Sequence, residues 1–141
     1  MSKREPYLFL FDIFIAIAKI KKVSEGYENG EALKHNFMAW DSVIREFEII
    51  GEATKHLIDA ELFTEEHRAI VDFRNLLIHA YFGIDEEEVW DIIEHHLNDI
   101  EQFTRTSILK IEEIKKERLI TDICEENKHH DFIVSALKQF K

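Results

Sequence analysis

The stretch from Leu33 to Ala60, LKHNFMAWDSVIREFEIIGEATKHLIDA, decides the fold class. Trp40, Val43, Ile44, Phe47, Ile50, Leu57 and Ile58 recur at helical spacing, while Asp41, Arg45, Glu48, Glu52, Lys55 and Asp59 mark the opposite face at steps of 4, 3, 4, 3 and 4. Two faces at a 3.6-residue period specify a long amphipathic helix. Gly51 sits inside it, where it costs about 1 kcal/mol relative to Ala. Close packing against another helix is the reading that repays a glycine at this place.

Upstream, a first helix runs from about Pro6, a residue suited to the first helical position, to about Ser24. Tyr7, Leu8, Leu10, Phe11, Phe14, Ile15, Ile17 and Ala18 pass more than halfway round it. So broad an apolar surface leaves two alternatives: a central helix, or one covered on its second side by another subunit. Downstream, Thr64 can cap a third helix with Glu65 and Glu66 in its first turn, Ile70, Phe73 and Leu77 as its core stripe, and Gly83 as its C′ stop. Asp85 starts a fourth helix as N-cap, with Glu88 completing a capping box and Val89, Ile93, Leu97, Ile100 and Phe103 as the apolar face. From Asp85 to Asn127 there is neither Gly nor Pro, so either one very long helix runs through or the chain kinks at Thr104–Ser107. A short helix over IVSALKQF closes the chain. The expectation is an all-α antiparallel bundle of four to five main helices, with a core over residues 1–104 and a helical extension over 105–141 in the same domain.

Composition agrees. The 141 residues suffice for one domain with a core, and 4 Gly with 1 Pro are too few for the turns of a β-sandwich or barrel. A single cysteine, Cys124, excludes an internal disulfide framework and fits a cytoplasmic setting. The N-terminal run MSKREPYLFLFDIFIAIAKIKK has the basic flanks of a signal peptide, but Asp12 interrupts its apolar middle and no small-residue cleavage site follows. It is also shorter than the ~20 apolar residues a bilayer span requires, so no membrane role is expected. Lys and Arg number 18 against 29 Asp and Glu, a net charge of −11. Such a chain can hold nucleic acid only at a local basic patch, and it equally suits a basic partner protein.

The chemistry concentrates in FRNLLIHAYFGID, Phe73 to Asp85. Arg68, Asp72, Asn75 and His79 fall at steps of 4, 3 and 4 and form a polar stripe on an otherwise apolar helix. Asn75 and His79 are neighbours on it. Arg74, five residues before His79, lies ~140° round the helix from it. If both act on one substrate, the helix end is distorted near Gly83 or the Arg of one chain meets the His of another. Histidine exchanges protons near neutral pH, and arginine stabilises a phosphoryl group as it gains charge. The pair is the minimum for metal-free RNA cleavage by the ribose 2′-hydroxyl. Taken alone, a histidine here reads first as a helix C-terminal cap.

RNLLIHAY resembles the Arg-x4-His-x-Tyr signature of HEPN-domain ribonuclease toxins of the HepT type, and the flanking blocks DSVIREFEIIGEATKHL and YFGIDEEEVWDIIEHHLNDIEQF resemble that family's core. The resemblance covers roughly Arg4 to Phe103. It implies an all-α homodimeric endoribonuclease without metal or other cofactor, with the two motifs meeting at a cleft between subunits. It also implies a nucleotidyltransferase antitoxin of the MNT type, which silences the toxin by adding AMP to the motif tyrosine. Carried across, Arg74 and His79 are catalytic, Asn75 and Asp72 support them, and Tyr81 accepts AMP. Apart from the resemblance, the apolar breadth of the first helix, too great for a monomer, predicts a homodimer whose interface includes the first and third helices, with a larger assembly also open. Two features depart from the family pattern: Glu46-Phe47 replaces an Asn-Leu pair, and the segment beyond Phe103 has no counterpart. The alternative reading is a non-catalytic HEPN helical module that presents itself to a nucleotidyltransferase.

Other constellations are weaker. Asp91, His95 and Asp99, or Glu52 with His56, have spacings that could hold a metal but read first as solvated i,i+4 pairs. Only Glu126-x-x-His129 matches a Glu-x-x-His di-iron element, and that class needs two. Lys110, Lys115, Lys116 and Arg118 are the densest basic cluster, expected to pair with Glu112, Glu113 and Glu117 or else to contact RNA phosphate. A phosphate-binding glycine loop, a serine elbow and a cysteine zinc site are all missing.

Overall fold

The computed structural model describes residues 4–80 and 83–141. Among these residues all regular structure is helical: α1 (Tyr7–Ser24), α2 (Gly30–His35), α3 (Phe37–Asp59), a 3-10 turn (Glu65–His67), α4 (Arg68–His79), α5 (Glu86–His95), α6 (Leu97–Leu109), α7 (Glu113–Glu126) and α8 (Asp131–Lys138). The all-α bundle expected from periodicity is what the chain forms. Among the described residues no helix is long and apolar enough to cross a membrane.

α1 is the central element. Leu10, Phe11, Ile13, Phe14, Ala16, Ile17 and Ile20 are buried, spread over most of its circumference. α3, α5, α6 and α8 of the same chain surround it. Its apolar breadth is therefore satisfied within one chain and does not call for a second subunit. α3 runs antiparallel to it: Phe9 meets His56 at one end, and Lys19 and Glu46 line one cleft at the other. α6 is antiparallel on another side, with Lys21 bonding Asn98 (2.6 Å) and Glu101, and Arg105 over the Phe14 ring.

Several boundaries differ from the sequence expectation for local reasons. The long second helix is two, because the Asn36 carboxamide caps α3 by accepting the Ala39 N–H (3.2 Å). The third helix is entered through a 3-10 turn and ends at His79. Ala80 closes it by donating its N–H to Leu76 (3.0 Å), and Gly83 has no positive φ and is not a C′ residue. The Asp85–Asn127 stretch is three helices. Breaks fall at His96 and at Lys110–Glu112, where the Glu112 carboxylate caps α7. The chain does not break at Thr104–Ser107: α6 runs through to Leu109, and the Thr104, Thr106 and Ser107 hydroxyls each bond the carbonyl four residues back (2.7–3.0 Å).

Glycines mark the closest approaches. A Cβ on Gly51 would fall on the Arg74 Cβ and Cγ, so α4 crosses α3 at contact distance there. A Cβ on Gly30 would fall on the Glu86 carbonyl and within 3.1 Å of the Trp90 Cβ, which seats α2 on the start of α5. The C-terminal helices join the same core: Ile120, Ile123, Ile133, Leu137 and Phe140 are buried, and Phe140 meets Phe14 edge to face at 5.0 Å.

Candidate functional site

α3 and α4 pack antiparallel: Ile44 shares a cleft with Leu77 and Ile78, and Gly51, further along α3, lies beside Ile70 and Arg74; Phe47 packs beside Phe73 (5.4 Å between ring centroids). α1 crosses the same side. Between the three helices lies a cleft of about 300 Å³ lined by Phe9 and Asp12 of α1, Arg45, Glu48 and Glu52 of α3, and Arg74 of α4. Arg45, Glu48 and Glu52 belong to the polar face of the amphipathic helix; burial of the opposite face aims them here. A second cleft of about 370 Å³, lined by Trp40, Asp41, Ile44, Glu48, Leu77, Ile78 and Ile84, shares Glu48 and Ile78 with the first and continues the groove along α3.

Arg74 is the anchored member. Its stem lies on the backbone at Gly51, and its side chain is 21% exposed. One Nη–H group bonds the Glu52 carboxylate, and Nη1 donates to Asn75 Oδ1 at 2.7 Å. The same Glu52 faces the His56 Nε2 at 3.3 Å, and the His56 ring stacks on Phe9 (4.4 Å, 8° between planes). Asp12 is engaged by Arg4, which lies over the Phe9 ring. Two guanidinium groups and three carboxylates thus line the cleft, with Arg74 already neutralised.

The remaining motif residues are elsewhere. Asp72, Asn75 and His79 are exposed on the outer face of α4, and Leu76 beside them is 51% exposed. Among the described residues Asn75 bonds Arg74 and not His79, and no bond or ion pair holds His79 or Asp72. Arg68, at the start of the stripe, pairs with Glu65 (3.0 Å). One chain therefore brings Arg74 and Asn75 together; His79 shares the exposed face of α4 with Asn75 without bonding it and lies apart from Arg74, as the helical wheel requires. Tyr81 lies outside the described residues.

Glu52 is the residue that sequence reasoning passed over as a functional partner. Its spacing to His56 was visible, but its bond to Arg74 spans 22 residues and depends on the helix crossing. Glu46 is buried at 8% exposure; burial pushes its carboxyl above the usual carboxylate range, and Lys19 and Arg45 pull it part of the way back. The spacings that suggested metal ligands yield ion pairs: Asp91 faces His95 (3.8 Å) and His96 (3.6 Å), and no group of three or more His, Cys, Asp or Glu able to hold a metal ion occurs among the described residues. The basic cluster is dispersed. Lys115 crosses to Glu5 of the N-terminal segment (2.9 Å), where it lowers that carboxyl's pKa, and Lys116 is buried against Glu113 (3.1 Å).

Comparison with known proteins places this geometry in a family. The profile described as Ribonuclease HepT-like matches residues 13–107. The protein named "Putative RNase MJ1380" of Methanocaldococcus jannaschii is 32% identical over 107 residues, covering 72% of this chain and 95% of that protein. "Putative RNase MJ0127" of the same organism is 34% identical over 108 residues, 72% of this chain and 87% of that protein. "Probable ribonuclease HepT" of Thermococcus cleftensis is 38% identical over 61 residues, 40% of this chain and 54% of that protein. No solved structure gives a significant match. The chain belongs to the HepT-like ribonuclease family.

Proposed function

We propose that the chain is the toxin of a toxin–antitoxin system, a metal-independent endoribonuclease that acts as a homodimer through Arg74 and His79. The observation that carries the reading is the divided motif. Arg74 is anchored in a cleft with its remaining N–H groups unpaired among the described residues, while His79 stands exposed on the outer face of α4. In a homodimer the histidine of each copy, turned away from its own Arg74, would complete the site at the arginine of the other. RNA enters with the scissile phosphate at the guanidinium. The ribose 2′-oxygen attacks phosphorus and loses its proton, the bond to the 5′-oxygen breaks, and that oxygen is protonated. His79 exchanges these protons and Arg74 steadies the charge gained by the phosphorane. The product is a 2′,3′-cyclic phosphate and a free 5′-hydroxyl. Asn75, bonded to Arg74, and Asp72 on the same helix act as supports.

Silencing belongs to a nucleotidyltransferase partner of the MNT type, with Tyr81 as the AMP acceptor. Tyr81 follows His79 by two residues, so an added phosphate would compete with RNA phosphate for Arg74. Incubation of the purified protein with total RNA in EDTA tests the activity: cleavage with cyclic-phosphate ends is expected, and cleavage that requires added Mg²⁺ contradicts the mechanism. Light scattering tests assembly, with a monomer at micromolar concentration as the contrary result. The intact mass after co-expression with the partner tests the modification. AMP additions absent from Tyr81→Phe are expected, and a Phe variant still modified contradicts the assignment. The second reading, a non-catalytic module docking on the transferase, is favoured by the cleft's three carboxylates against two guanidinium groups. Intact RNA in the same incubation would select it.

A further inference from the structure

Gly51 and Glu52 are consecutive on α3 at the point where α4 crosses it. The missing side chain at Gly51 lets the Arg74 stem lie against α3, and the next residue catches the guanidinium. The Glu52 carboxylate is itself held from its other side by His56, and His56 by stacking on Phe9. A continuous set of contacts thus runs Phe9, His56, Glu52, Arg74, Asn75, from α1 through α3 to α4 across the cleft. Both Arg74 bonds go through Nη hydrogens. The other guanidinium donors bond nothing among the described residues, and a guanidinium held at two of its five N–H groups has the others to offer a phosphate.

We propose that Glu52 is a positioning residue for Arg74: its carboxylate, with His56 beside its other oxygen, fixes the guanidinium so that the unbonded N–H groups meet an RNA phosphodiester in the cleft. The inference rests on the ribonuclease reading above and extends it to a residue outside the Arg-x4-His-x-Tyr motif. Glu52 is 46% exposed, and a pair so open to water adds little to folding stability. Its removal therefore leaves the helices in place and frees only the Arg74 head. A long side chain without its bracket samples several rotamers, and the phosphorane forms opposite the right one only part of the time. The loss falls on the chemical step, since a misplacement of ~1 Å costs on the order of 100-fold in rate.

The test compares wild-type protein and Glu52→Gln on a cleavable RNA oligonucleotide in EDTA, with guanidinium ¹⁵N–¹H spectra of both and Glu101→Gln as a charge-matched control far from the cleft. The Gln variant should lose about 30- to 100-fold in kcat with KM changed less than about threefold, and keep its melting temperature. Restricted rotation of the Arg74 guanidinium in the wild type should relax in the variant, and the control should behave as wild type. If Glu52→Gln does not fold, Glu52→Asp carries the same test, with about a tenfold loss in kcat from the shortened reach. Unchanged kcat in the Gln variant, a loss wholly in KM, or a loss explained by a fallen melting temperature overturns the positioning role and leaves the ribonuclease reading standing. A wild-type protein that cleaves no RNA overturns that reading, and the positioning role with it, even where the spectra show Arg74 held.

Discussion

Arg74 and His79 are five residues apart on one helix and could hardly be treated more differently by the fold. Arg74 is pressed on Gly51, tied to Glu52 and Asn75, and set in a cleft. His79 is exposed at the helix end, with no bond among the described residues. The difference follows from helical geometry, because five residues turn the chain ~140°. A helix packed on one side, as α4 is, buries only one of two such positions. It teaches that a single chain completes the arginine half of the motif and presents the histidine half outward. Under the proposed function the second half is answered by another copy.

The largest expected effect breaks the comparison at either end. Arg74→Ala and His79→Ala should each lower kcat more than about 100-fold with helix content unchanged by circular dichroism. If only Arg74→Ala does so, the exposed histidine is a helix cap and no more. Next comes the packing that creates the asymmetry. Gly51→Ala pushes a methyl group into the Arg74 stem and should cost about 1–3 kcal/mol. Gly83→Ala meets nothing within 4 Å and has no positive φ to strain, so it should be neutral or stabilise by up to about 1 kcal/mol in the same denaturation series.

A smaller effect concerns Glu46, on the buried side of α3. A carboxyl whose folded pKa is raised binds its proton more tightly when folded. That stabilisation is full below the unfolded pKa and is lost as pH rises through the folded one. At pH 7 the buried charge is a cost that an amide does not carry. Glu46→Gln should therefore raise the melting temperature by about 2–5 °C at pH 7, with the gain shrinking toward zero near pH 4. An equal gain at both pH values would locate the effect in packing. The smallest change is expected at Lys115, whose pair with Glu5 is partly exposed. Lys115→Met should cost less than about 1 kcal/mol.

The core was legible because it is periodic. Of the residues placed on one face of the second helix by spacing, Trp40, Val43, Phe47, Ile50, Leu57 and Ile58 are buried and Ile44 is partly buried against them, and Gly51 does mark a close helix crossing. Of the two alternatives for α1, the central one is observed; the sequence could not choose, since apolar breadth looks the same whichever chain covers it. Breaks without glycine or proline were illegible. His96 and Glu112 are tolerated inside helices; here α5 seats on α2 and α6 on α1 either side of His96, and Glu112 turns its carboxylate to cap α7. In the site, the wheel separated Arg74 from His79 correctly because that is a property of one helix. The bond to Glu52 is a property of two helices and leaves no mark in local spacing.

The central claim, that the arginine half is built in one chain and the histidine half is supplied by another, is tested most directly by mixing. Arg74→Ala and His79→Ala proteins, each inactive alone, are unfolded together, refolded at equal concentration and assayed on RNA in EDTA. Half of the dimers then pair unlike chains, and each carries one intact composite site of its two, so activity should return to about a quarter of wild type. No recovery, with mixed dimers verified by mass, would contradict the account and place the whole site within a single chain.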